Sequence, residues 1–200
     1  SGQAEATYGR QLPRPEASPL EAFARRFNYP EHSAYKRRAD VERLGVKAFF
    51  FSNACSALVK RTFLEVGLYP ERTIVNEDYL LAAKLIAAGH TIYYNAEARV
   101  YHSHRYSLKD QAQRSFDIGV SLARGGAALA GVRASGEGLR YLGAQLAHLR
   151  REGRYAALPY AALEAAARFT AFQLGRREAA LPRGLKRQLS MHRYFWDQER

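Results

Sequence analysis

The chain has 200 residues, 47% hydrophobic and 25% charged, which is the composition of one folded domain with a real core, or at most two small ones, and excludes a disordered chain. Its single cysteine, Cys55, excludes an internal disulfide and fits a reducing compartment; no apolar run is long enough to span a bilayer, and no signal peptide opens the sequence, so it reads as a soluble cytoplasmic chain. The net charge of +12 is uneven: residues 1–104 hold 14 Lys and Arg against 11 Asp and Glu (+3), residues 105–200 hold 17 against 8 (+9).

An alternating apolar piece, Ala4 to Tyr8, opens the chain and runs into a loop at Pro13 and Pro15. Ser18 as N-cap and Pro19 at the first helical position predict a helix over 20–27, stopped before Pro30. Residues 31–47 read as a polar loop exposing Lys36, Arg37 and Arg38. Ala48 to Val59 reads as an apolar strand whose interior Asn53 and Ser56 need partners, either tying down backbone or facing a cleft. A short helix, Arg61 to Val66, closes at Gly67.

The next stretch, Asn76 to His104, is the most informative. Asn76 is a good N-cap, and Glu77 and Asp78 fall in the first helical turn, where the positive end of the helix dipole favours carboxylates. Capping alone explains such a pair; a general base delivered at a helix start is the functional alternative. Leu81, Leu85 and Ala88 share a face, and Gly89 ends the helix. Thr91 to Tyr94 reads as a strand and Ala98 to His104 as an extended segment, so His102 and His104 share one face. That face suits a metal or a phosphate, or carries two surface histidines by chance.

Helices dominate from there on. Ser107 caps a helix over 108–124, with Phe116, Val120 and Ala123 along one face, broken by Gly125-Gly126. An alanine-rich region follows, with Leu139, Leu142, Leu146 and Leu149 at helical spacing and Arg150, Arg151 and Arg154 at its end. Pro159 starts a further helix through Leu174, ended by Gly175. The tail mixes Arg176, Arg177, Arg183, Lys186, Arg187 and Arg193 with Leu181, Leu185, Leu189, Tyr194, Phe195 and Trp196. Basic and aromatic residues together suit an anionic membrane surface, and equally a packed helix with a solvated back.

Several stretches in order carry a resemblance: F-F-F-S-N-A-C-S-A at 49–57, G-L-Y-P at 67–70, N-E-D-Y at 76–79, A-A-G-H at 87–90 and E-A-R-V-Y-H-S-H at 97–104. With Y-G-R-Q-L-P-R-P at 8–15 and R-G-L-K-R-Q-L-S-M-H-R-Y-F-W at 183–196, the succession resembles the distal part of family 2 glycosyltransferases, most closely the bacterial rhamnosyltransferase branch. The resemblance implies an inverting sugar transfer from a nucleotide-sugar (dTDP-rhamnose-like) to a hydroxyl of a cell-surface glycan or lipid-linked acceptor. It also implies Asp78 as general base, Glu77 as orienting group, and a divalent cation (Mg or Mn) on the diphosphate with His102, then His104, as candidate ligands. Asn53 and Ser56 become acceptor-side candidates.

The family's Asp-x-Asp, which grips that metal, is absent, and so are other nucleotide-binding and hydrolase motifs. The sequence therefore reads as the acceptor-side half of a GT-A-like enzyme, expected to be inactive and metal-free by itself. The fold expected is α/β and helix-rich: an incomplete GT-A-like sheet in residues 1–104 and a helical basic extension in 105–200, with self-association across an uncovered sheet edge. The location expected is cytoplasmic, peripheral at the inner face of the bacterial membrane. The rival is a non-catalytic basic module on a membrane surface or nucleic acid; no nucleic-acid motif supports the latter.

Overall fold

A computed structural model describes residues 3–125 and 136–198, which divide into two compact units: residues 3–71 with 77–104, and residues 72–76 with 105–125 and 136–198. The chain is helix-rich with one small mixed sheet, an incomplete α/β arrangement.

In the first unit, strand β1 (Ala6–Leu12) lies parallel to β4 (Ile92–Tyr101) and antiparallel to β3 (Ser56–Leu58). Strand β2 (Ala34–Lys36) adds on the far side of β4, giving the order β2-β4-β1-β3. Both edge strands are only three residues long, a common way of blunting an edge against further pairing. Alternate residues Ala6, Tyr8, Ile92, Tyr94 and Ala96 are buried, and they cluster with Leu81, Leu85 and Ile86 of helix α4 (Glu77–Ala87). The β1–β4 register shifts after Gly9, where a Cβ would lie 2.4 Å from the Ala98 carbonyl oxygen and 2.9 Å from Cys55 Sγ. Only glycine fits that bulge.

Several local cap signals hold. Helix α1 (Pro19–Asn28) starts as expected, with Ser18 Oγ accepting the Glu21 N–H (3.3 Å). Residues 31–47 are not one loop: after β2 they hold a 3-10 turn over Arg38–Asp40, the single-turn helix α2 (Val41–Leu44) and another 3-10 turn over Gly45–Phe49. Helix α3 (Lys60–Glu65) gives way to Gly67 at φ 79°, and α4 to Gly89 at φ 89°. The two extended segments expected around residues 91–104 are mostly one strand, β4, and β1 runs on to Leu12. The long strand expected over 48–59 is absent; turns occupy Gly45–Phe49 and Asn53–Cys55, and β3 is a remnant. Ser52 Oγ accepts the Ala54 N–H (3.4 Å), a local bond that competes with a strand ladder. Asn53 and Ser56 are accordingly exposed, not interior.

Lys36 is buried, and among the described residues no carboxylate pairs with it. Its Nζ donates to Tyr8 Oη (2.7 Å) and the Phe50 carbonyl (2.6 Å), over both rings. Burial first, then repulsion from Lys47, pushes its ammonium down to about 7. Below pH 7 folded and unfolded chains both hold the proton and the burial penalty is full. As pH rises from about 7 toward the usual 10.5, the folded chain has lost a proton the unfolded chain keeps, and the penalty fades. Stability of this unit is expected to rise with pH through that window and to lose that rise in Lys36→Met. Urea midpoints from β1 and β4 amide signals at pH 7 and pH 9 check this; an equal rise in the variant contradicts it.

In the second unit, helix α5 (Leu108–Arg124) begins with a capping box between Ser107 and Asp110. The expected Gly125-Gly126 break falls partly, and the alanine-rich run to residue 135 wholly, outside the described residues. Helix α6 (Glu137–Arg151) buries Leu149 but leaves Leu139 78% exposed, so the four-leucine face is only partly a core face. Helix α7 (Leu158–Arg176) runs through Gly175 instead of stopping there. Gly175 and Gly119 of α5 are the contact: a Cβ on Gly175 would sit 2.1 Å from the Phe116 carbonyl oxygen, and one on Gly119 2.4 Å from that of Phe172. The glycine serves a helix crossing, not a cap.

The tail packs. After helix α8 (Arg183–Leu189), helix α9 (Arg193–Gln198) puts Trp196, 1% exposed, against Phe116, Val120 and Ala171. Arg183 Nε donates to the Trp196 carbonyl (2.7 Å), Arg187 pairs with Asp197 (3.0 Å), and Lys186 and Arg124 converge on Glu178 (2.6 and 2.8 Å). Fully buried Asp117 accepts the Met191 N–H (3.0 Å), tying the α8–α9 turn to α5. Much of the basic-aromatic mixture is thus used internally; Arg176, Arg177, Arg193 and Tyr194 stay exposed. Among the described residues no helix is long and apolar enough to cross a membrane.

Candidate active site

The start of α4 gathers the expected acids. Asn76 precedes it at φ 66°, a left-handed backbone that asparagine tolerates, and not the extended one usual for an N-cap. Glu77 and Asp78 occupy the first turn, and Asp78 Oδ1 accepts the Tyr79 N–H (2.8 Å). Asn53 comes from the 53–55 turn to donate through Nδ2 to Glu77 Oε1 (3.3 Å). Tyr69 donates to Asn53 Oδ1 (2.9 Å). Burial, then the Asp78 and Glu77 carboxylates, push the Tyr69 phenol up. So two of the expected residues, Asn53 and Glu77, touch, with Asp78 beside them. Ser56 pairs with Tyr8 in the ladder, exposed, and has no side-chain bond to this group among the described residues.

A second set of residues, which sequence reasoning missed, adjoins the first. Gln11, 3% exposed, accepts from Arg25 Nη1 (2.5 Å) and donates to Ser52 Oγ (2.6 Å). Burial pushes the Tyr29 phenol up, while neighbouring Ser52 and Arg25 act to lower it and Asp78 to raise it. Phenols from residues 29 and 69 therefore both sense Asp78. Gln11 and Tyr69 lie in the quoted stretches 8–15 and 67–70, which was their one signal; Arg25 and Tyr29 lie outside every quoted stretch and had none.

The histidines lie just past β4. The His102 N–H donates to the Leu12 carbonyl (3.0 Å) and the His104 N–H to Glu21 Oε1 (2.7 Å), which turns both imidazoles together. Their Nε2 atoms are 2.8 Å apart and the rings meet edge to face. Two nitrogens so close can bind one ion at the usual lengths of about 2.1 Å. No group of three or more His, Cys, Asp or Glu able to hold a metal occurs among the described residues, so the pair supplies only part of a coordination shell.

Two known proteins similar to this chain are named as rhamnosyltransferases. The chain is 38% identical over 200 residues to the O-antigen chain rhamnosyltransferase RfbN of Salmonella typhimurium, and 37% identical over 200 residues to the O-antigen chain rhamnosyltransferase WbaN of Salmonella anatum. Each match covers 96% of this chain and 61% of the relative, so the chain spans less than two thirds of their length. No family model matches the chain. No solved structure matches it significantly.

Proposed function

We propose that the chain is the acceptor-side part of an inverting, rhamnosyltransferase-like glycosyltransferase of family 2 with a GT-A-type fold. The observation that carries it is the Glu77-Asp78 pair at the α4 start, with Asn53 bound to Glu77 and Tyr69 bound to Asn53, in a chain similar throughout to two rhamnosyltransferases.

An acceptor hydroxyl is a weak nucleophile. Asp78 takes its proton as it attacks the anomeric carbon of the donor sugar, the bond to the nucleoside diphosphate breaks on the opposite side, and the proton stays on the carboxylate. Such a base contributes roughly 10²–10⁴ in rate. Glu77, held by Asn53, orients the acceptor. The donor is a nucleotide-sugar of the dTDP-rhamnose kind, and the acceptor a cell-surface glycan or its lipid-linked precursor. That anchor would bring the protein to the inner face of the bacterial membrane, where Arg176, Arg177, Arg193 and Tyr194 remain free of the core to meet an anionic surface. Attack from the opposite face is checked by product NMR: the anomeric configuration must be the reverse of the donor's, and retention sinks the reading.

A divalent cation, when bound, neutralises charge on the departing diphosphate. His102 and His104 would hold it. Imidazole nitrogens suit a transition ion better than Mg, which is held through oxygens, so Mn fits the pair better. His102→Ala is expected to raise the Mn concentration for half-maximal activity at least ten- to hundredfold, the loss seen even for residues that only support a ligand. An unchanged titration would leave His102 an ordinary strand-end residue.

A further inference from the structure

Gln11 is a buried polar residue that the proposed chemistry leaves unused. It sits near the end of β1 and uses both halves of its amide, Oε1 accepting from Arg25 and Nε2 donating to Ser52. Ser52 Oγ also accepts the Ala54 N–H and so closes the turn that carries Asn53, whose amide holds Glu77. A chain of contacts thus runs from the sheet to the carboxylates.

We propose that Gln11 is a positioning residue that acts through Ser52 and Asn53 to set the place of Glu77 in the site. The inference rests on the transferase reading of Glu77 and Asp78. Glutamine suits the post because it presents an acceptor to a cation and a donor to a hydroxyl at once. Glutamate lacks the donor, and leucine lacks both groups. With leucine, Arg25 would also lose its Gln11 acceptor, although its Nε is already buried without a partner. A displacement of about 1 Å in a group that orients substrate is enough to cost about 10²-fold in rate.

The test is a double-mutant cycle in a protein of the relatives' full length, with kcat and both KM values measured for Gln11→Leu, Asn53→Ala and the pair. Each single change is expected to lower kcat about 10- to 100-fold with the donor KM unchanged. Because both act along one chain of contacts, the pair is expected to lose no more than the worse single variant. Should Gln11→Leu fail to fold, Ser52→Ala takes its place in the same cycle, with Ser52→Thr, which keeps a hydroxyl, expected to recover most of the loss. Losses that multiply, or a folded Gln11→Leu (or its Ser52→Ala substitute) with unchanged kcat, overturn the proposal. Failure of the transferase reading looks different: the unmutated protein would then transfer no sugar from any nucleotide-sugar, or Asp78→Asn would stay fully active, whatever the cycle shows.

Discussion

Asp78→Asn is expected to lower sugar transfer at least a hundredfold while leaving the fold intact. The substitution is nearly isosteric and keeps Oδ1 as an acceptor for the Tyr79 N–H, so the first turn of α4 loses little. What disappears is the basic carboxylate, and with it the proton acceptor for the attacking hydroxyl, a contribution of about 10²–10⁴ in rate. Neighbouring Glu77 cannot substitute, because adjacent helical positions diverge by about 100° and Glu77 is engaged by Asn53. The measurement is kcat for a protein of the relatives' full length, beside an amide spectrum that verifies the fold. More than about a tenth of wild-type turnover in a folded variant would remove Asp78 from the role of base.

The largest effect on stability is expected at the α5–α7 crossing. In Gly175→Val a Cβ would have to occupy space 2.1 Å from the Phe116 carbonyl oxygen and 3.1 Å from Gly119 Cα. Both obstacles are backbone inside a helix, which cannot turn aside as a side chain would, so the helices must separate. Separation loosens the contacts of Phe116 and Val120 with Trp196. Overpacking of this kind costs about 1–3 kcal/mol, occasionally more. Trp196 is the chain's single tryptophan and belongs to this unit, so its fluorescence in a urea titration reads the change. Gly184→Ala is the control: nothing lies within 4 Å of its Cβ, and a helical Gly-to-Ala change gains about 0.5–1 kcal/mol. Equal midpoints for Gly175→Val and wild type would mean that the crossing is not tight.

These contrasts show what the sequence could and could not convey. The start of α1 at Ser18 and Pro19, the cap at Ser107 and the stops at Gly67 and Gly89 were legible, because each is decided by bonds within a turn. Gly175 was misread as a stop because its neighbour across the crossing lies 56 positions earlier, at Gly119. The apolar run at 48–59 looked like a strand; Phe49 and Phe51 are indeed buried, yet Ser52 draws the backbone into a turn, and β1 pairs with only three residues beyond it. Trp196 could be read as a membrane anchor or as a packed residue, because composition does not reveal which aromatic faces Phe116.

The site divides in the same way. Glu77, Asp78 and Asn53 were marked from the sequence, two by a helix start and one as a polar residue in an apolar run. Gln11, Arg25, Tyr29 and Tyr69 reach the same place from separate elements, and only the folded chain brings Gln11 within 2.6 Å of Ser52. The histidine pair was legible as a pair, since residues two apart on an extended chain share a face. That their Nε2 atoms meet at 2.8 Å depends on Leu12 and Glu21 holding the two backbone amides.

The most direct measurement is transfer itself. A protein of the relatives' full length carrying this chain is incubated with labelled nucleotide-sugars, dTDP-rhamnose first, and a lipid-linked glycan acceptor, with and without Mn. Label is expected to pass from dTDP-rhamnose to the acceptor, dependent on the metal and abolished in Asp78→Asn. Failure of every nucleotide-sugar to label the acceptor, or labelling that Asp78→Asn leaves untouched, would contradict the transferase reading.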